Sequence, residues 1–268
     1  MKDIEDGLSL QLTEVKIDHS NANDILKKKI EYFNKSLFKA WKRGTYNNLV
    51  GGYYIWDAQD VIVREDQESF AAIGRVGDPG GIIPAVVMYS SDGLSWDVDR
   101  IKIDGEDVLG QLFSITQVNW NQLVAVGLRH QRKDNHSYDE PLVVLITDSV
   151  RAHAVSIGDQ KSNAQFNDII FTTKNTYIAV GSQESQPLIS YSEDSENWSR
   201  HEVGIEATSA LGSLTTIIET LDGTIVAGGR VDRRPQIFFS TGDGWSEAAI
   251  PFLDGQGEIA KIVFVGDT

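Results

Sequence analysis

Four apolar runs end in glycine at a nearly constant interval. They are Ser69-Phe-Ala-Ala-Ile-Gly74, Gln122-Leu-Val-Ala-Val-Gly127, Thr176-Tyr-Ile-Ala-Val-Gly181 and Thr224-Ile-Val-Ala-Gly-Gly229, and their glycines stand 53, 54 and 48 residues apart (127−74, 181−127, 229−181). Each run is preceded by another apolar segment and a polar turn: Val61-Ile-Val63 before Glu65-Asp-Gln67, Phe113-Ser-Ile-Thr116 before Asn119-Trp-Asn121, Phe166-Asn-Asp-Ile-Ile-Phe171 before Lys174-Asn175, and Leu214-Thr-Thr-Ile-Ile218 before Leu221-Asp-Gly223. Two short β-rich runs joined by such a turn read as a hairpin. A third run follows in every copy, Ala85–Ser90, Leu142–Thr147, Leu188–Ser192 and Gln236–Ser240, and then a weaker fourth such as Trp96–Ile101 or Trp198–Val203.

Four short antiparallel strands in a fixed period of this length predict an all-β protein, a β-propeller of four-stranded blades. A β-sandwich also has many short strands, but nothing in that architecture requires a constant interval. Glu258-Ile-Ala-Lys-Ile-Val-Phe264 matches Gln165–Phe171 and is expected to be the first strand of a fifth blade. An unpaired sheet edge is a liability, so closure by a composite blade is expected: inner strand from the C-terminus, outer strands from residues 8–17 and 49–56. Between these lies a predicted amphipathic helix over 22–43. Asn23 or Asp24 caps it, and Leu26, Ile30, Phe33, Leu37 and Trp41 share one face. The division expected is therefore an N-terminal segment, 1–56, and a repeat domain, 57–268.

The turns Ser90-Ser-Asp92-Gly93-Leu-Ser-Trp96 and Ser192-Glu-Asp194-Ser-Glu-Asn-Trp198 resemble Asp-boxes. These mark bacterial-neuraminidase-repeat propellers and photosystem II assembly-factor-like propellers, with the pattern Ser/Thr-x-Asp-x-Gly-x-x-Trp. Both copies here are one residue shorter. Repeat four has a degenerate form around Asp243 and Trp245, and repeat two has no tryptophan at the position. The resemblance spans residues 57–264 and implies the fold. Its Asp, Gly and Trp read as structural: Asp bonds loop amides, Gly takes a positive φ, and Trp packs between strands.

Sialidases use such propellers and hold a substrate carboxylate with an arginine cluster, because guanidinium binds carboxylate bidentately. Arg75, Arg129 and Arg230 recur just after the second strand, with Ser182 in repeat three, and are candidate ligand-binding residues. The family's Phe-Arg-Ile-Pro motif is absent, and no tyrosine–glutamate pair is assignable. The five histidines lack ligand spacing and there are no cysteines, so no metal and no cofactor is expected. The polar stretch Arg132–Glu140 reads as an inserted loop between the second and third strands of repeat two.

The net charge of −15 disfavours nucleic acid as a partner. It is uneven: Lys27, Lys28, Lys29, Lys35, Lys39, Lys42 and Arg43 against Asp24 and Glu31 make that segment +5, leaving −15 − 5 = −20 elsewhere. Lys27, Lys28, Lys35, Lys39, Trp41 and Lys42 are therefore candidate docking residues for an acidic protein partner. No apolar run approaches a membrane span, and the acidic start is no signal peptide. The expectation is a non-catalytic structural or protein-interaction subunit, cytoplasmic or virion-associated, such as a phage virion or injection-machine component. The alternative is a glycan-binding module or a sialidase-like glycosidase.

Overall fold

A computed structural model describes residues 54–64, 69–77, 83–93, 95–119, 121–133, 136–147, 150–155, 163–201, 211–242, 244–249 and 256–263, all within the compact unit Tyr46–Thr268. The predicted helix 22–43, its docking residues Lys27, Lys28, Lys35, Lys39, Trp41 and Lys42, the predicted strand 8–17, and Asp243 lie outside these residues.

The described residues are all-β and form four four-stranded antiparallel sheets. The first holds β1 (Tyr54–Arg64), β2 (Ser69–Gly77), β3 (Ala85–Ser90) and β4 (Asp97–Arg100). A two-stranded ribbon follows, β5 (Lys102–Ile103) and β6 (Glu106–Asp107). The second sheet holds β7 (Gly110–Asn119), β8 (Gln122–Lys133), β9 (His136–Ile146) and β10 (Val150–Ala154); the third β11 (Ala164–Phe171), β12 (Tyr177–Gln183), β13 (Gln186–Ser192) and β14 (Ser199–His201). The fourth holds β15 (Gly212–Glu219), β16 (Ile225–Val231), β17 (Arg234–Ser240) and β18 (Ser246–Glu247).

In every sheet the strands lie side by side in chain order. The first strands also follow one another, β1 against β7, β7 against β11, and β11 against β15. This is a propeller-like arrangement, with β1, β7, β11 and β15 innermost. Alternation along each strand loads both faces of a sheet. One apolar seam packs Ala71, Ile73 and Val87 against Leu112, Ile115 and Val144. The next packs Val124, Val126 and Val143 against Phe166, Ile169 and Leu188. The third packs Ile178, Val180 and Ile189 against Leu214, Ile217 and Phe238. Each fully buried Ile, Leu or Phe contributes about 1.5–3 kcal/mol.

The recurring glycine has a reason that lies outside its own strand. Each innermost strand carries a β-bulge between the residue facing that glycine and the next paired one: Leu112 and Ser114 in β7, Phe166 and Asp168 in β11, Leu214 and Thr216 in β15. A bulge bends its strand toward the partner. A Cβ on Gly127 would meet the carbonyl oxygen of Gln111, and one on Gly181 that of Gln165.

Three parts of the sequence reading need correction. Arg132–Glu140 is no loop: β8 and β9 pair as far as Lys133 opposite His136, so the stretch prolongs the hairpin as a polar ribbon. It has no apolar alternation because neither face of the ribbon meets another sheet in the way the buried part does. Tyr54–Trp56, assigned above to an outer closing strand, begin β1, with Tyr54 opposite Gly77 and Ile55 opposite Val76. Residues 258–263, expected within the first strand of a fifth blade, belong to no strand, since no ladder pairs them with a neighbour among the described residues, while the fourth strand expected in repeat two is β10.

The two Asp-box-like turns are closed internally. Ser90 Oγ accepts from the Gly93 amide at 2.8 Å, Asp92 Oδ1 accepts from the Ser95 amide at 2.8 Å, and Trp96 Nε1 donates to the Gly93 carbonyl at 3.3 Å. In the second turn Asp194 Oδ1 accepts from the amides of Glu196 and Asn197, and Trp198 Nε1 donates to the Ser195 carbonyl at 2.8 Å. Ser195 stands where the first turn has Gly93, and both adopt positive φ, 66° and 71°. Trp198 is buried against Phe166, centroid to centroid 5.1 Å. In repeat four Trp245 is buried and donates to Tyr191 Oη at 2.6 Å.

Candidate functional site

The bulge aims one polar side chain per repeat toward the middle of the arrangement: Asp60, Ser114, Asp168 and Thr216. These stitch each innermost strand to the next. Asp60 Oδ2 accepts from the Ile115 amide at 3.0 Å, Asp168 Oδ2 from the Ile217 amide at 3.0 Å, and Thr216 Oγ1 from the Ile262 amide at 3.3 Å. Ser114 Oγ lies 2.6 Å from Asp168 Oδ1 and 3.4 Å from Asp60 Oδ2. Burial raises the Asp60 carboxyl above its ordinary pKa, and the bonds from the Ile115 and Val61 amides and the charge of Lys261 only partly offset this.

The third of these bonds seats the C-terminal segment 256–263 beside β15. Ile259 also donates to the Gly229 carbonyl at 3.1 Å, Thr215 Oγ1 donates to the Ile259 carbonyl, and Lys261 Nζ reaches Asp168 Oδ2 at 3.3 Å. Gly228 stands where β2, β8 and β12 have Ile73, Val126 and Val180, and the space is taken by Ile259 and Ile262. Lys261 thus holds the repeat position of Asp168.

The turns between second and third strands share one face with the segments leading into the innermost strands. Glu184 and Ser185 turn β12 into β13 with φ of 50° and 62°, and Asp232 and Arg233 turn β16 into β17 with 48° and 67°. Each pair grips the chain of the following repeat. Ser185 O accepts from the Gly212 amide at 2.7 Å, and Arg233 O from the Gly257 amide at 3.0 Å.

On this face lies a hollow of about 930 Å³, lined by Gln165, Ser182, Ser213, Arg230, Asp232, Arg233 and Glu258 among others. Its residues come from β11, β12, β15, β16, the Asp232–Arg233 turn and the C-terminal segment. Asn167, the bulged residue of β11, fixes two of them: it accepts from Gln165 Nε2 at 2.7 Å and donates to Ser213 Oγ at 2.8 Å and Leu214 O at 2.7 Å. That arrangement leaves the Gln165 carbonyl as an acceptor and the Ser213 hydroxyl as a donor beside two guanidinium groups and two carboxylates. A second hollow, about 440 Å³, sits against the β8–β9 ribbon. Arg129, Arg132 and Tyr138 line it, with His130 and Asp139 paired at 2.7 Å.

The three candidate arginines are therefore distributed. Arg230 lines the larger hollow and Arg129 the smaller, while Arg75 lines neither and follows Gly74 as Arg230 follows Gly229. Arg129 is one residue further from its glycine, so it projects from the opposite face of its sheet. Sequence reasoning passed over Gln165, Asn167, Ser213, Arg233 and Glu258, and also the central Asp60, Asp168 and Lys261. A signal for the last group is present: a polar residue followed by a β-branched pair, in Asp60-Val-Ile, Ser114-Ile-Thr, Asp168-Ile-Ile, Thr216-Ile-Ile and Lys261-Ile-Val. Among the described residues no group of three metal-ligating side chains stands together.

No family model matches the chain, and no curated protein matches it. Solved structures do. A Bombyx mori GH32 β-fructofuranosidase is 14% identical at TM-score 0.43, covering 82% of this chain and 57% of its own. A Penicillium chrysogenum α-L-arabinanase, solved with arabinobiose, is 16% identical at TM-score 0.43, covering 70% and 61%. YCF48 bound to D1 peptide is 19% identical at TM-score 0.34, covering 71% and 66%. The chain thus spans less than two thirds of the length of each. At these identities the likeness is one of fold. The expectation of a non-catalytic chain is nevertheless corrected: the matches also include a glycoside hydrolase, a mannose phosphorylase and an N-acetylgalactosamine deacetylase, so the fold gives no ground for setting catalysis aside. The expectation of a virion or injection-machine subunit finds no support in them.

Proposed function

We propose that this chain recognises a carbohydrate in the larger hollow, and that it is a five-bladed propeller whose C-terminal segment supplies the innermost strand of the closing blade. The hollow itself carries the first reading. A sugar presents hydroxyls that both donate and accept, and it is held best by several fixed polar groups of both kinds. Gln165, Ser182, Ser213, Arg230, Arg233 and Glu258 provide amide, hydroxyl, guanidinium and carboxylate groups from three consecutive repeats around one concavity. Two of them are oriented in advance by Asn167, which lowers the ordering cost of binding. The five-bladed reading is supported by the place of Lys261 and by the Ile262–Thr216 bond, which repeats the Ile115–Asp60 and Ile217–Asp168 bonds one repeat further on.

A glycan array tests the first reading. Wild type should retain a restricted set of glycans, and Arg230→Ala should lose them. An empty array, or retention unchanged by Arg230→Ala, refutes it. Fluorogenic glycosides built on the retained sugars then separate recognition from hydrolysis. Turnover that disappears in Glu258→Gln makes the site a glycosidase site.

A protein partner is a second reading, and the β8–β9 ribbon favours it, since its paired strands continue through Lys133 and His136, well past the positions where β12–β13 and β16–β17 turn. Shortening the ribbon between Gln131 and Tyr138 should abolish capture of a partner by the intact chain; unchanged capture refutes it.

A further inference from the structure

The C-terminal segment serves two places at once. Its first residues, Gln256, Gly257 and Glu258, form one wall of the hollow, and three residues later Lys261 reaches the buried carboxylate of Asp168 at the axis. Ile259, between them, and Ile262, just past Lys261, are pinned to β16 and β15 through the Gly229 carbonyl and Thr216 Oγ1. No residue of the segment belongs to a strand ladder of its own. Its position among the described residues therefore rests on a short set of bonds: the Gly257 amide to Arg233 O at one end, the Ile259 and Thr215 bonds in the middle, and the Lys261–Asp168 and Ile262–Thr216 bonds at the other end.

The Asp168 carboxylate is held in advance of that contact. It is 4% exposed and already accepts from Ser114 Oγ and from the amides of Ile169 and Ile217. Lys261, by contrast, has a side chain that is 62% exposed. A fixed buried anion thus meets a cation carried on the seated segment. Other charges act on the same place: Asp60 lies close enough for Lys261 to stabilise its ionised form and for Asp168 to oppose it.

We infer that Asp168 and Lys261 are positioning residues, a lock at the axis that holds the segment in register and so sets Glu258 into the hollow. The inference rests on the hollow being the binding site, and it goes beyond that reading by making strand seating and ligand affinity one linked equilibrium. A ligand touching Glu258 binds the seated form, so it tightens the lock, and the lock tightens the ligand by the same factor. Lys261→Met removes the cation and keeps the length of the side chain. Lys261→Arg restores the charge.

Amide hydrogen exchange on the full chain reads the lock without any ligand. In Lys261→Met the Ile259 and Ile262 amides are expected to exchange about two- to fivefold faster, the range for a pair with one exposed member. The Ile178 amide in β12 keeps its wild-type rate, and Lys261→Arg restores protection at Ile259 and Ile262. Unchanged exchange at those two amides in Lys261→Met overturns the lock. Titration with a sugar retained by wild type reads the coupling. Saturating sugar should slow exchange at the Ile259 and Ile262 amides, in wild type and in Lys261→Met, because only the seated form binds it, whereas Glu258→Gln should weaken Kd and leave ligand-free exchange alone. Exchange at those two amides that saturating sugar leaves unchanged overturns the coupling. If wild type retains no sugar, the reading of the hollow fails, and the exchange rates alone still decide the lock.

Discussion

Replacing Asp168 by alanine is expected to cost more than any other single side-chain deletion at the axis. The carboxylate accepts from Ser114 Oγ at 2.6 Å, from the amides of Ile169 and Ile217 at 3.0 Å each, and from Lys261 Nζ at 3.3 Å. Lys261 is largely exposed and rehydrates when its partner goes, so its share stays below about 1 kcal/mol. Ser114 and Ile217 are 3% and 2% exposed. The Ile217 amide is left without this acceptor in a place that water reaches poorly, at about 1–3 kcal/mol, and the Ser114 hydroxyl falls back on the longer 3.4 Å contact to Asp60 Oδ2, at about 0.5–1.5 kcal/mol. The sum is about 2–5 kcal/mol, which overlaps the range expected when one member of a buried charged network is removed. For a unit of this length each kcal/mol lowers Tm by about 2–4 °C, so the fall is about 4–20 °C. Asp168→Asn keeps the volume and one acceptor oxygen and should cost about 1–3 kcal/mol. Urea titration followed by tryptophan fluorescence measures both. A cost below about 1 kcal/mol for the alanine variant refutes the view that this carboxylate joins the sheets.

Gly181→Ala should destabilise by at least about 2 kcal/mol, because its Cβ meets the Gln165 carbonyl held forward by the bulge; Gly223→Ala, with nothing near but φ of +81°, should cost no more than about 1–2 kcal/mol, and the two midpoints in urea compare them. Trp198→Ala removes a buried ring that packs on Phe166 and Tyr177 and should cost about 3–5 kcal/mol by the same titration. The Asp60 carboxyl, raised by burial, is harder to ionise in the folded chain than in the unfolded one. Its contribution to stability is therefore fully present below the ordinary carboxylate value of about 3.9 and is lost as pH rises through the raised one. Asp60→Asn should flatten the stability–pH curve over that interval, and an unchanged curve would refute the assignment.

The strands were legible wherever apolar residues alternate between two buried seams. Val124–Val126 and Ile178–Val180 show the pattern, because the second and third sheets each pack on both sides. The ribbon at Arg132–Glu140 was misread for the converse reason: backbone pairing holds it, and pairing leaves little trace in side-chain type. The repeated glycine was visible as a marker, but its cause was not, since the carbonyl oxygen that excludes a Cβ belongs to a residue 16 positions earlier, Gln111 for Gly127, Gln165 for Gly181 and Ser213 for Gly229. The hollow was legible only at Arg230 and Ser182, which share a repeat position. Gln165, Ser213 and Glu258 share another, at the start of the innermost strands, yet their chemistry differs from copy to copy. Only the geometry that brings the three repeats together marks them as a set.

The contact between Lys261 and Asp168 changes how such an array should come apart. In a series of repeats where each unit touches only the one before and the one after, melting can begin at an end and proceed unit by unit. Here a residue following the fourth sheet bonds to the third, and its charge acts on Asp60 in the first. Coupling that skips neighbours makes the loss of any one sheet felt across the whole set. The described sheets should consequently unfold in one cooperative step, with no half-melted intermediate populated on the way.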